Sequence, residues 1–341
     1  MICVPAEHVL AAAEEALRAG TKALCVISAG FAETGPEGTR RQDALLAAVR
    51  AHGARLIGPN CLGIAVSRCR LNATFGPRPL PPGNVAFSTQ SGALGLALLE
   101  ATDTRGLGLS AFVSIGNKAD VSSNDLLEYW EDDPDTEVIL LYVESFGNPR
   151  KFARLARRVA RRKPILALKG GRTRSGARAA GSHTAALAGS ETAVNALFRQ
   201  AGVIRADTLE ELLDVTSLLS RQPLPRGRRV GLLTNAGGLG ILAADACEAA
   251  GLELPLPSQE TRAALAEILP PEASLANPVD ILGSATADTF ASALPPLLRD
   301  PGLDAVVVLF VPPVVAAAED VAEAVTQAAE AAGTSRSLGC S

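Results

Sequence analysis

Short apolar runs rich in β-branched residues recur along the chain, each separated from the next by a stretch of helix length. ALCVISAG, RLIGPN, NVAFSTQSG, SAFVSIGN, EVILLYVES and PILALKGG lie within the first 171 residues, and RVGLLTNAGG and DAVVVLFVPP lie in the second half. These runs lack the alternation of a half-exposed strand. Strands apolar on both faces with helices between them predict parallel sheets covered by helices, an α/β fold. In RKFARLARRVARRK (150–163) the period changes, and Phe152, Leu155, Ala156 and Val159 fall on one helical face with the arginines outward. That pattern reads as a solvated helix rather than a nucleic-acid patch.

Two Pro-rich stretches, GPRPLPPGN (76–84) and SRQPLPRGRR (220–229), punctuate the alternation as interdomain linkers. The segments after them align without gaps, VAFSTQSGALGLALLEA with VGLLTNAGGLGILAADA, pairing Thr89 with Thr234, Gly92 with Gly237 and Gly95 with Gly240. An internal repeat of strand, tight Gly turn and helix means two similar α/β domains. The expected division is residues 1–75, a shorter first piece, then 76–222 and 223–341.

Composition narrows the function classes. The 341 residues are 48% hydrophobic and 20% charged, which excludes a disordered chain and leaves room for two or three cores. Thirty-two Lys and Arg against 36 Asp and Glu give a charge of −4, so neither nucleic acid nor an anionic membrane is implied as a partner. No apolar run reaches the roughly 18 residues of a membrane helix and residues 1–20 carry no signal-peptide pattern, so a cytoplasmic protein is expected. Cys3, Cys25, Cys61, Cys69, Cys247 and Cys340 are scattered, and His8 and His52 have no ligand-spaced companions; no disulfide framework and no metal site is expected.

A strand, Gly-rich turn and helix point free N–H groups and a positive helix end at an anion, and phosphate is the expected guest. The same glycines would also serve simply to fit a tight turn in a doubly wound sheet, so the turns alone decide nothing. Gln90 and Ser91 add polar groups in the first copy, whereas Ala236 replaces the serine in the second; if only one copy binds phosphate, it is the first.

GARAAGSHTAALAGSE (176–191) sets His183, one of three histidines, among small residues, after a loop with Arg172, Arg174 and Arg178. Ser182 or Thr184 can cap the helix that follows. Two readings stand: the imidazole helps the cap, or it is a nucleophile whose phosphoryl group gains from the helix end, the loop N–H groups and the arginines. A nucleophile needs a partner that fixes its tautomer, and Glu144, ending EVILLYVES, is placed on the face where ligands bind in such sheets. The other reading of Glu144 is a surface carboxylate at a strand end.

Taken in order, GFAETGPEG, IGPNCLGI, STQSGALG, SIGNKADVSSNDLLEY, YVES, GSHTAALAGS, TNAGGLGILAADAC and NPVDILG resemble the NDP-forming acyl-CoA synthetases. The likeness is to the α part of the acetate:CoA ligase (ADP-forming) group, relatives of succinyl-CoA synthetase, and it spans nearly the whole chain. It implies a remnant of a Rossmann-like CoA-binding domain followed by two flavodoxin-like, succinyl-CoA synthetase-like domains. It also implies a reaction: acyl-CoA and phosphate give acyl phosphate and CoA, the phosphoryl group passes to a histidine, and then to ADP. Carried over, His183 is the phosphorylated residue and Glu144, 39 positions earlier, orients it; Ser91, Gly92 and Ser182 hold phosphate. Ile27, Ser28, Ala29 and Gly30, with Pro59 and Asn60, match segments lining the coenzyme A site. Mg-ATP or ADP would be held by an ATP-grasp β subunit or domain, in an α–β oligomer, with a carboxylic acid, acyl-CoA and phosphate as the small partners.

Against that family pattern, residues 1–75 supply ICVPAEHV, its following helix and two further βα steps but no early G-x-G-x-x-G, so the chain is expected to start inside the CoA domain. At the far end, DAVVVLFVPP and one helix are expected to close the third domain with no later strand. The alternative function is a ligand-sensing acyl-CoA-synthetase-like region of a protein lysine acetyltransferase, against which the retained His183 counts. A dinucleotide-binding oxidoreductase resting on TNAGGLG is the poorest reading, because the Gly spacing is wrong.

Overall fold

Two compact units make up the chain, Met1–Ser220 and Arg221–Ser341. The computed structural model describes residues 1–76, 80–171, 191–312 and 317–333 and the backbone of 337–340.

The first unit opens with α1 (Ala6–Arg18), β1 (Ala23–Cys25), α2 (Pro36–Ala51) and β2 (Arg55–Ile57). β1 and β2 pair in parallel, and Ile2 bridges Val26 in the same sense. α1 buries Val9, Ala13 and Leu17, one per turn, in a core with Leu24, Val26, Leu45, Val49 and Leu56. A second βα step was expected after β2, but the chain instead turns through Gly58 and Asn60, at φ 95° and 56°. A Cβ on Gly58 would lie 2.4 Å from the Val26 carbonyl, so only glycine lets the turn fold back against β1.

There follow β3 (Gly63–Val66), β4 (Leu71–Thr74), β5 (Pro82–Thr89), α3 (Gly92–Thr104), β6 (Leu109–Ser114), α4 (Ser123–Asp132) and β7 (Val138–Val143). Then come α5 (Pro149–Val159), β8 (Ile165–Lys169), α6 (Glu191–Ala201), β9 (Ile204–Ala206) and α7 (Leu209–Arg221). The sheet order is β4-β3-β6-β5-β7-β8-β9, so residues 63–74 join the larger sheet. Its core pairs are parallel as expected, but β3 runs antiparallel to both β4 and β6. That hairpin is half-exposed, with Leu71 and Asn72 outward, and so lacks the doubly apolar signature of the other strands.

Both faces of this sheet are covered. Ala86, Val113, Ile139, Leu141 and Ile165 pack under Trp130 of α4, Phe152 of α5 and Phe198 of α6. Phe87, Phe112, Leu140 and Leu166 pack with Leu98 of α3 and Leu212 and Leu213 of α7. α5 buries Phe152, Leu155, Ala156 and Val159 as its periodicity predicts; its Arg158 pairs with Glu131, and Arg162 just beyond the helix pairs with Asp132. A strap at 117–121 ties the small sheet to the large one: Asn117 N–H donates to Pro59, Ala119 to Gly58 and Val121 to Leu56.

The second unit comprises β10 (Val230–Thr234), α8 (Gly237–Ala249), α9 (Gln259–Ile268), β11 (Val279–Asp280), α10 (Ala287–Arg299), β12 (Ala305–Leu309), α11 (Ala318–Ala332) and β13 (Ser337–Cys340). Its sheet is parallel in the order β11-β10-β12-β13. The expectation that no strand follows the last helix is corrected here: Ser337–Cys340 pairs with Ala305–Val308. SLGC is too short and too little apolar to announce itself as a strand. No helix among the described residues is long and apolar enough to cross a membrane.

Candidate active site

The two repeated turns share their geometry atom for atom. In the first, the Ser91 N–H donates to Thr89 Oγ1 (3.1 Å), which donates in turn to the Ser91 carbonyl (2.8 Å). In the second, Ala236 N–H and its carbonyl make the same pair with Thr234 at 3.1 and 3.3 Å. Gly95 and Gly240 each face the threonine methyl: a Cβ would lie 3.0 Å from Thr89 Cγ2 or 3.1 Å from Thr234 Cγ2. Helix and strand can approach this closely only without a side chain there.

What lies over the two helix starts differs. Ser91 Oγ caps α3 by accepting from Leu94 N–H (3.3 Å), and among the described residues nothing beyond its chain neighbours and its own helix stands within 4 Å of a Cβ on Gly92. Over α8 the cap is Ala236, with no side-chain acceptor, and a Cβ on Gly237 would meet the Asp280 carboxylate at 2.9 Å. The second helix end thus carries its own anion close at hand, while at the first the described residues leave the Gly92 position clear.

Gln90 ties the open helix start to Glu144. Its Oε1 accepts from the N–H groups of Glu144 (3.0 Å) and Ser145 (2.9 Å), and its Nε2 donates to the Ser145 carbonyl (2.8 Å). Glu144 follows β7 at its C-terminal end, which is where a parallel sheet presents side chains to ligand. Asn235 reproduces the clamp in the second unit, exchanging two hydrogen bonds with Val311 at 2.8 and 2.9 Å, but no carboxylate occupies the Glu144 position there. Lys118 adds to the first clamp: its Nζ donates to the Ser145 carbonyl at 2.9 Å and also to Ser145 Oγ. Burial pushes this ammonium down to about 8; Glu144 opposes the shift and Lys169 adds to it.

The opposite wall comes from the small sheet. The Asn60 N–H donates to the Ser28 carbonyl (3.0 Å), joining the 58–60 turn to the 27–30 loop. Gly30, at φ 100°, donates to Glu33 Oε1 (2.6 Å), and a Cβ there would lie 2.8 Å from the Ala6 Cβ. Asn117 lies between this wall and the start of α3, accepting from Asn60 Nδ2 (3.3 Å) and donating to Glu33 and to Gln42 Oε1 (3.0 Å). Burial alone would raise the Glu33 pKa, but hydrogen bonds from Asn117, Phe31 and Gly30 outweigh it and hold the carboxyl below its ordinary value.

Asn60, Cys61, Leu62, Gln90, Ser91, Gly92, Gly116, Asn117 and Glu144 line one cavity of about 420 Å³. Of the residues expected from sequence, Asn60, Ser91, Gly92 and Glu144 are therefore brought together. Pro59 is buried behind Asn60, and Ile27, Ser28, Ala29 and Gly30 stand behind the same wall, joined to it through Ser28. His183 and Ser182 lie outside the described residues, as do Arg172, Arg174, Arg178 and Thr184.

Sequence reasoning missed Glu33, Asn117 and Lys118 as individual site residues. The last two lie in SIGNKADV, whose Gly116 has φ 48° and would place a Cβ 2.3 Å from the carbonyls of Pro59 and Asn60. It also missed the pairing of Cys25 with Cys61, buried thiols whose Sγ atoms lie 3.9 Å apart. The hydrogen bond to Cys25, and then burial, push the Cys61 thiol up. Among the described residues no cluster of three His, Cys, Asp or Glu side chains could hold a metal ion.

Three family models match the chain in series: a CoA binding domain over residues 1–67, a succinyl-CoA ligase like flavodoxin domain over 82–219, and a Ligase-CoA domain over 230–340. The acetate–CoA ligase [ADP-forming] I subunit alpha of Pyrococcus furiosus is 40% identical over 338 residues, covering 99% of this chain and 73% of its own. The acetate–CoA ligase [ADP-forming] I of Archaeoglobus fulgidus is 45% identical over 312 residues, 92% of this chain and 45% of its own. Among solved structures, the dinucleotide forming acetyl-coenzyme A synthetase 1 of Ca. Korarchaeum cryptofilum, in complex with phosphate and ADP, superposes with a TM-score of 0.95 at 40% identity. That match covers 99% of this chain and 73% of the other.

Proposed function

Because the chain belongs to the family of ADP-forming acetate–CoA ligases, we propose that it is the α component of an NDP-forming acyl-CoA synthetase. In this reading it interconverts acyl-CoA, phosphate and ADP with carboxylic acid, CoA and ATP in the cytoplasm. Residues 1–75 serve as the CoA-binding domain, 76–222 as the phosphohistidine domain and 223–341 as the second flavodoxin-like domain. The observation that carries the proposal is the single cavity shared by the open helix start at Ser91 and Gly92, the strand-end carboxylate Glu144, and Asn60 of the wall read as the CoA side.

In the acyl-CoA-consuming direction, a phosphate oxygen attacks the thioester carbonyl; the C–S bond breaks and CoA leaves as thiolate. The start of α3 supplies N–H donors and a positive helix end for the phosphate, and Gly92 leaves room for it to come close. The His183 imidazole then attacks phosphorus, the bond to the acyl oxygen breaks, and carboxylate departs. Glu144 accepts the ring's other N–H, holding the tautomer with a free nucleophilic nitrogen and stabilising the charge gained on phosphorylation. The phosphoryl group would then leave the imidazole nitrogen for the terminal phosphate oxygen of ADP, held with its magnesium by an ATP-grasp β subunit or domain, the alpha-subunit relatives being named as parts of larger enzymes.

The relatives are ligases, which favours this reading over the ligand-sensing regulatory one. Reconstitution tests it: the chain mixed with an ATP-grasp β subunit, Mg-ATP, acetate and CoA should release ADP and acetyl-CoA. A folded α–β complex that forms neither product from acetate or longer carboxylic acids would overturn it.

A further inference from the structure

Lys118 has no role in the chemistry above, yet its placement is costly and specific. Its backbone sits at φ 48°, a left-handed conformation uncommon for a residue with a side chain. From there the long side chain turns inward, behind the cavity wall. The ammonium meets three acceptors: the Ser145 carbonyl (2.9 Å), Ser145 Oγ and Gln90 Oε1 (3.4 Å). Among the described residues no carboxylate lies within ion-pair distance of it, so a charge is held on neutral groups. Those groups are the ones Gln90 already uses to fix the backbone of 144 and 145.

A neutral side chain could fill this space and a hydroxyl could donate to Ser145. A cation does more. It draws the Gln90 and Ser145 oxygens toward one point, and its charge interacts favourably with Glu144 and unfavourably with Lys169. Lys169 ends β8 and donates to the Gly170 carbonyl, and it too feels the charge of Glu144. Of the two cations, Lys118 is the one hydrogen-bonded to the groups that seat Glu144.

We propose that Lys118 is a positioning residue for phosphoryl transfer: through Gln90 and Ser145 it fixes the Glu144 backbone, and with it the carboxylate, opposite the helix start at Ser91. The proposal rests on the reading of Glu144 as the carboxylate that orients His183. It requires the charged form of Lys118. The groups that face it are Gln90 from the turn before α3, Glu144 and Ser145 after β7, and Lys169 from the end of β8.

The test uses the full chain with its ATP-grasp partner and Mg-ATP, following phosphorylation of His183 in single turnover across pH 6 to 10. Wild type should lose rate as pH rises through about 8, as Lys118 gives up its proton. Lys118→Met should be slowed on the order of 10²-fold with little change in KM for ATP, and should lose that alkaline limb. Lys118→Arg, which stays charged, should recover a large part of the rate and carry activity to higher pH. If the Met variant fails to fold, the Arg profile decides alone. A Met variant with wild-type rate and profile, or an Arg variant whose limb stays at the wild-type pH, would overturn the proposal. Absence of labelling in wild type would instead overturn the proposed function, so the two failures are distinct.

Discussion

Replacing Gly116 by alanine puts one methyl group where the two walls of the cavity meet. Gly116 has φ 48°, so any Cβ costs about 1–2 kcal/mol through the left-handed backbone alone. The methyl would also lie 2.3 Å from the carbonyls of Pro59 and Asn60, and relieving that requires the walls to part by about 1 Å. Asn60, Asn117 and Lys118 all move with that opening, and a misplacement of about 1 Å costs on the order of 10²-fold in rate. Gly53 is the control, because it has φ 61° and, among the described residues beyond its chain neighbours, nothing lies within 4 Å of its Cβ position. Gly53→Ala should lower Tm by about 2–8 °C and leave the reconstituted ligase rate intact, while Gly116→Ala should lose at least as much stability and most of the rate. Calorimetry with a coupled ADP assay reads both. A Gly116→Ala chain as active as Gly53→Ala would refute the claim that this close approach sets the geometry of the site.

Two further outcomes are expected. Glu144→Gln should slow phosphorylation of His183 on the order of 10²-fold or more in single turnover without lowering Tm, and an unchanged rate would return Glu144 to a surface carboxylate. Glu33 has a folded pKa below its unfolded value, so its contribution to stability is present above the unfolded pKa and is lost as pH falls through the folded one. Glu33→Gln should therefore flatten the acid side of the Tm–pH curve below about pH 5, and a curve parallel to wild type would show that the Glu33–Asn117 bridge does not matter to the fold.

The elements legible in the sequence were those whose environment is uniform. Eight apolar runs became β1, β2, β5, β6, β7, β8, β10 and β12, and in the six longer ones most positions are buried. The hairpin β3–β4 and the short strands β9, β11 and β13 escaped because their burial is mixed or their length is two to four residues, too little for a period to register. The internal repeat was visible as Thr and Gly in register, and it extends to hydrogen bonds that no alignment contains.

The site was legible where a residue type carried the chemistry alone: a serine and glycine at a helix start, a glutamate at a strand end. It was not legible where function lies in a meeting of distant segments. Asn117 reaches Glu33 across 84 positions and Cys25 meets Cys61 across 36, and nothing in either local pattern marks the encounter. Asp280 over the second helix start is of the same kind, a carboxylate far along the chain that distinguishes the two copies of the turn.

At the centre of the proposed function is the histidine of the small-residue loop, His183, as carrier of a phosphoryl group. Intact-mass analysis of the chain after incubation with Mg-ATP and an ATP-grasp β subunit tests it most directly, with His183→Ala alongside. The account predicts one added acid-labile phosphoryl group in wild type and none in the variant. A folded, partner-bound wild-type chain that gains no mass, or a His183→Ala chain that is labelled equally, would contradict it.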